Sequence, residues 1–187
     1  MEKRKARRRA IFMSIKKAVQ IGNKVIRNKS IAVKDVSVKE IQQIIKDLVD
    51  SMRHDNLVGM AAPQIGKNYR IFVTEIRKTN YRKSVDKNNS LKVYINPKII
   101  SKSKKQIEGY EGCGSVVSAQ LFGKVKRPNS VVCSALDEKG ESFNIKASGL
   151  LARVIQHEID HLDGIVFIDK VSDTRTLLDK QSYINSQ

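Results

Sequence analysis

The sequence predicts an α+β fold: an amphipathic helix, a set of mainly antiparallel strands, and a central helix around which the strands pack. Three observations carry this expectation. Apolar residues recur at helical spacing over 38–52. Short β-rich runs occur between 70 and 147. A mostly apolar segment bounded by Gly149 and Gly164 then follows.

Each element has its own local reason. Ser37-Val38-Lys39-Glu40 has the form of a capping box opening the first helix. Val38, Ile41, Ile45, Leu48 and Met52 form its apolar stripe, with Asn56 and Gly59 just past its end. Gly59-Met60-Ala61-Ala62-Pro63-Gln64 reads as a tight corner whose small residues let another chain approach the backbone. Arg70 to Ile76, Leu91 to Ile95 and Ser130 to Leu136 read as strands. The last runs through Asp137-Glu138-Lys139-Gly140 into Ser142 to Ala147, a hairpin. Gly149 precedes the central helix, and Gly164 stands where a left-handed residue would stop it.

At 187 residues and 40% hydrophobic content the chain suits one globular domain with a sizeable core. Residues 1–16 are expected to form a basic, disordered extension, 17–171 the single domain, and 172–187 a tail with helical potential. No apolar run approaches the roughly 20 residues that cross a bilayer, and no secretory leader is recognisable. Two cysteines make a disulfide framework improbable and point to a reducing cytoplasm. The net charge of +17 includes a basic N-terminal run, Lys3, Arg4, Lys5, Arg7, Arg8 and Arg9, with further lysines such as Lys102, Lys104 and Lys105. Two readings of that charge stay open: attraction to a polyanion such as the ribosome surface, or lysine used for solubility. No motif or aromatic platform for sequence-specific nucleic-acid recognition accompanies it.

The chemistry-bearing residues lie in His157-Glu158-Ile159-Asp160-His161 and, upstream, Glu111-Gly112-Cys113-Gly114-Ser115. On a helix, histidines at i and i+4 project from one face and can grip one ion, which makes the central helix metal-binding. Leu150, Leu151, Ala152, Val154 and Ile155 make that helix largely buried, where unpaired imidazoles are expensive to desolvate. Two imidazoles leave an ion under-coordinated, and Cys113 is the candidate third donor. Glu158, next to the first histidine, suits a general base acting on water at the metal. Gln64 carries an amide able to donate to a developing oxyanion. An open metal site beside a carboxylate points to hydrolysis.

Taken in order, GMAAPQ, EGCGS and HEIDH resemble the three motifs of the peptide deformylases, and the resemblance runs from about Val19 to Asp169. It implies an enzyme that removes the N-formyl group from nascent chains starting with formylmethionine and releases formate. It implies Cys113, His157 and His161 as ligands and Glu158 as the acid/base. Gln64 and the Gly114 N–H would hold the oxyanion, and Gly59 would pair with the substrate backbone as an added strand. The implied ion is Fe(II), exchangeable for zinc, nickel or cobalt. The expected partners are N-formylated nascent peptides, with the ribosome surface open through the basic charge, and neither a sequence-specific nucleic acid nor a membrane.

Three positions depart from the family pattern: Leu57, where a glycine is usual, Gly114, where a leucine is usual, and Arg153, where an apolar residue is usual. All three adjoin the expected substrate cleft, so Leu57 and Arg153 join Gly59 as substrate-contacting positions. Arg153 is expected to snorkel outward along the cleft rim. The departures motivate a second reading, a related amidohydrolase with altered N-acyl or first-residue preference. The basic surface motivates a third, a catalytically silent peptide- or ribosome-binding homologue. Cys133 is expected as a buried strand thiol and His54 as a solvated residue. Asp160 would orient a ligating histidine or another partner, and Glu111 and Arg127 are candidates for a supporting ion pair.

Overall fold

The computed structural model describes residues 14–80 and 89–186. The basic run from Lys3 to Arg9 lies outside them. The chain orders as α1 (Lys24–Arg27), α2 (Lys39–His54), β1 (Gly59–Ala61), β2 (Ile71–Ile76), β3 (Asn89–Lys102), β4 (Gln106–Gly112), β5 (Leu121–Pro128), β6 (Ser130–Leu136), β7 (Ser142–Ser148), α3 (Gly149–Leu162), β8 (Leu178–Asp179) and α4 (Lys180–Asn185). Its strands form two antiparallel sheets, a five-stranded one in the order β1-β2-β3-β6-β7 and a three-stranded one in the order β4-β5-β8. The α+β expectation holds.

Period-two alternation explains the larger sheet, which is apolar on both faces. Met60, Ile71, Val73, Val93 and Ile95 point to one face, where Ile41, Ile44, Ile45, Leu48 and Met52 of α2 cover them. Ala61, Phe72, Tyr94, Val131, Cys133 and Ala135 point to the other, against Leu151, Ala152, Ile155, Ile159 and Leu162 of α3. Phe72 and Tyr94, paired across β2 and β3, stack with ring centroids 4.3 Å apart. The central helix is thereby clamped by the sheet along one side, leaving its other side to the smaller sheet.

Some local expectations are corrected. The capping box does not form: Ser37 N–H and Oγ both bond to Asp35 Oδ1, and Val38 becomes a helix-capping residue with no side-chain bond. Asp35 captures the serine in a turn of its own, which competes with capping. Val38 is consequently exposed at 46% instead of joining the stripe, and Ile44 takes its place in the core. The run expected at Leu91 to Ile95 continues to Lys102 through two register shifts, which let Asn96-Pro97 pass without breaking the strand. The corner at Gly59 is a short edge strand, β1, followed by a 3-10 turn over Ala62–Ile65. The hairpin of β6 and β7 forms in the expected place, and Gly164, at φ +76°, follows the last residues of α3.

Outside 17–171, Ser14 and Lys16 donate backbone N–H groups to Asp50 and Ser51 of α2. At the other end β8 extends the smaller sheet along β5, and α4 follows directly.

Candidate functional site

Helix α3 and strand β4 meet at the site. Along α3, Arg153, His157 and His161 recur every four residues and so share one face. In β4 and the residue after it, Glu111 and Cys113 are two apart and also share a face. Cys113 Sγ, His157 and His161 each offer a donor atom, and these atoms lie within 4.8 Å of one another. Cys113 Sγ is 3.1 Å from His161 Nε2. In a tetrahedral site with bonds of roughly 2.0–2.3 Å the donors stand about 3.6 Å apart, so small side-chain rotations suffice to close these three on one ion. One thiolate with two imidazoles is a donor set that holds a divalent transition metal, and three protein ligands leave a coordination position open.

The electrostatics agree. Burial alone would raise the Cys113 thiol, but the His161 charge and hydrogen bonds from both histidines outweigh it and hold the group well below its ordinary value, as the thiolate. Ser115 N–H and Gln64 Nε2 donate to the same sulfur at 3.4 Å each. Burial would lower His157, yet Cys113 and Glu111 hold it well above its usual value. A buried thiolate drawing a proton onto its neighbour is an anion awaiting a cation, and an incoming ion releases that proton.

Glu158 is 3% exposed, and its Oε2 has no protein partner among the described residues. Burial pushes it up to about 7, against the opposing pull of His157 and His161. Beside it stands Gly59, whose missing side chain is a structural requirement. A Cβ there would come 2.5 Å from Glu158 Oε1 and 2.6 Å from Val154 Cγ1. Gln64 Oε1 accepts the Ala61 N–H at 2.8 Å, which turns the amide nitrogen toward Cys113.

Sequence reasoning paired Glu111 with Arg127, and that pair is bidentate, at 2.9 and 2.8 Å. It missed that Glu111 Oε2 also meets His157 Nδ1 at 2.9 Å, fixing the ring so that its other nitrogen faces the ligand cluster. Burial would raise Glu111; Arg127 and His157 outweigh this and hold it well below the carboxylate range. Asp160 grips Arg127 and Lys170 instead of a histidine. Arg153 does not snorkel outward. Its guanidinium donates to Glu111 and to the carbonyls of Ile107, Gly109 and Val125, tying α3 to β4 and β5. Cys133 is buried and His54 is exposed beside Asp55, as expected.

A cleft of about 110 Å³ opens beside the ligands. Leu57, Val58, Ala119, Phe122, Leu150 and Val154 give it apolar walls, and Gly59, Gln64, Cys113, Gly114, Arg153, His157, Glu158 and Tyr183 are among the other residues that line it. Two of the departures are neighbours here: a Cβ on Gly114 would come 3.3 Å from Leu57 Cδ1, so Leu57 fills space that a side chain at 114 would need. Gln20 fixes the same loop, donating to Gly114 O at 2.8 Å and accepting Ser118 N–H at 2.9 Å. Phe122, Gln20 and Tyr183 carried no sequence signal for a role here, because contacts between segments far apart in the chain bring them together.

Comparison with known proteins bears on this geometry. The family model described as polypeptide deformylase matches residues 15–176. A peptide deformylase of Thermomicrobium roseum is 41% identical over 165 residues, 88% of this chain and 90% of the relative. Among solved structures, a Synechococcus elongatus peptide deformylase in complex with actinonin superposes with a TM-score of 0.75 at 30% identity, covering 90% of this chain and 84% of that one. A class I type b peptide deformylase from Acinetobacter baumannii with Met-Ala-Ser bound reaches 0.80 at 27% identity, covering 85% and 99%. With the match spanning both the strand that supplies the sulfur and the helix that supplies the histidines, the chain belongs to the peptide deformylase family.

Proposed function

We propose that the protein removes the N-formyl group from the formylmethionine that begins nascent polypeptides, releasing formate. The observation that carries this reading is the convergence of a buried thiolate and two imidazoles beside an unpartnered buried carboxylate in an apolar cleft. Cys113, His157 and His161 would hold one divalent ion. When bound, that ion supplies Lewis acidity and brings the pKa of water from 15.7 toward about 7. Family resemblance favours Fe(II) in the cell, with zinc or nickel as substitutes.

Each remaining task falls to a residue of this chain. Glu158 Oε2 takes the proton of the attacking water and later hands it to the departing amine, so acid and base are one group. Gln64 Nε2 and the Gly114 N–H donate to the oxygen on which negative charge develops. Gly59 lies on β1, at an edge of the larger sheet, where an extended peptide can add as a further strand without its side chains being read. Leu57, Val58, Leu150 and Val154 receive an apolar first side chain and exclude bulk water. The +17 charge suits work beside the polyanionic ribosome, and no described helix is long and apolar enough to cross a membrane.

The test is formate release from a formyl-Met tripeptide by anaerobically purified, metal-analysed protein. Glu158→Ala should retain the ion and lose about 10²–10⁴-fold in rate. Undiminished turnover in that variant removes the acid/base assignment. Wild-type protein that binds the peptide without releasing formate points instead to a silent homologue.

A further inference from the structure

One wall of the cleft comes from beyond the family match at 15–176. Strand β8 pairs with β5 so that Leu178 lies opposite Phe122. Asp179 then caps α4 by accepting the Ser182 N–H at 2.7 Å, and the helix carries Tyr183 over β5. Tyr183 is 4% exposed. Its ring stacks on Phe122 with centroids 4.1 Å apart and planes 5° from parallel, and the Tyr110 ring meets it edge-on at 5.8 Å. Phe122 in turn lies flat on Gly112, where a Cβ would come 2.5 Å from Phe122 Cε1. Gly112 directly precedes the ligand Cys113. Ring stacking therefore links the C-terminal segment to the strand that supplies the sulfur.

Tyr183 also borders a second hollow of about 300 Å³, which shares Tyr110, Leu150, Arg153 and Tyr183 with the cleft. Arg153 is fixed by four acceptors. Tyr183, by contrast, is held by ring contacts alone among the side-chain contacts described for it. Its ring lines both spaces, so truncating it removes part of the wall they share.

We propose that Tyr183 is a specificity-determining residue: its ring partitions the cleft from the adjoining hollow and limits how long a first side chain the protein accepts. This rests on the deformylase reading above.

The experiment uses holoenzyme and two peptides, formyl-Met-Ala-Ser and its analogue whose first residue carries an unbranched alkyl side chain three atoms longer. Formate release is measured for wild type, Tyr183→Ala and Tyr183→Phe, and calorimetry gives the affinities of the two deformylated peptides. Tyr183→Ala should shift the ratio of kcat/KM toward the longer chain by about tenfold or more, mainly through KM, while Tyr183→Phe keeps the wild-type ratio. A uniform loss on both peptides, as a purely structural role would give, overturns the proposal, and so does an unchanged ratio. If Tyr183→Ala does not fold, Tyr183→Leu, which keeps an apolar contact with Phe122, is read by the same ratio. If wild-type protein releases no formate at all, the reaction assigned above fails. The affinity ratio then decides this inference by itself, a shift supporting it and a constant value sinking it.

Discussion

The two sheets make opposite use of side-chain chemistry. The five-stranded sheet is apolar on both faces and buried between α2 and α3. The three-stranded sheet turns Glu111 and a row of backbone carbonyls toward α3, with Cys113 just past the end of β4, and is joined to that helix through Arg127 to Asp160 and through Arg153. Hydrophobic burial is non-directional and fixes where α3 lies; charge-assisted hydrogen bonds are directional and fix how its histidines face the sulfur. Stability and alignment are thus divided between two regions that share one helix.

The largest break in that division should come from Arg127→Leu, which takes from buried Glu111 and Asp160 the cation they share and leaves Arg153 beside Glu111 and Lys170 beside Asp160. Removing one partner of a buried ion pair costs about 3–5 kcal/mol, and this variant should also bind metal more weakly, because Glu111, anchored by Arg153 alone, holds His157 less firmly. The wild-type advantage has a definite sign with pH. Glu111 is held below its ordinary value in the folded state, so its contribution is present above the unfolded value of about 4.3 and is lost as pH falls toward its folded one. Urea melts of both proteins should therefore converge below about pH 4; a gap that widens on acidification would contradict the network.

Leu48→Ala, in the fully buried stripe of α2, should cost about 3 kcal/mol through the lost transfer energy and the cavity. Its melting temperature should fall while the kcat/KM of the folded fraction stays near wild type. Loss of activity without loss of stability would erase the contrast between the sheets. The smallest effect is expected at the cleft: Gly114→Leu overpacks against Leu57 and should cost about 1–3 kcal/mol. Adding Leu57→Gly should recover part of this, giving a coupling energy above about 0.5 kcal/mol in a double-mutant cycle. Strict additivity would show that the two positions do not share space.

The same division explains what could be read from the chain. Strands such as Ser130–Leu136 and helices such as Lys39–His54 announce themselves through apolar periodicity, because burial wrote their patterns. Strand β4, Gln-Ile-Glu-Gly-Tyr-Glu-Gly, has no apolar alternation. Its inward residues are a glycine and a glutamate that arginines 16 and 42 positions away satisfy. The ligand histidines were legible because an i, i+4 pair is a local code. The bond from Glu111 to His157 spans 46 residues and has no local signature. Arg153 was placed beside the cleft, yet its partners belong to a sheet the sequence did not disclose. Tyr183 was hidden for the same reason.

Gly59 sets a spacing by what it lacks. The strand edge and the carboxylate of Glu158 stand closer than any other residue would permit, since even a methyl group would overlap both that oxygen and Val154. The main-chain rail on which a peptide would lie and the buried carboxylate it would face are therefore held in register by an atom left out, and neither can drift from the other without unpacking α3 from the sheet.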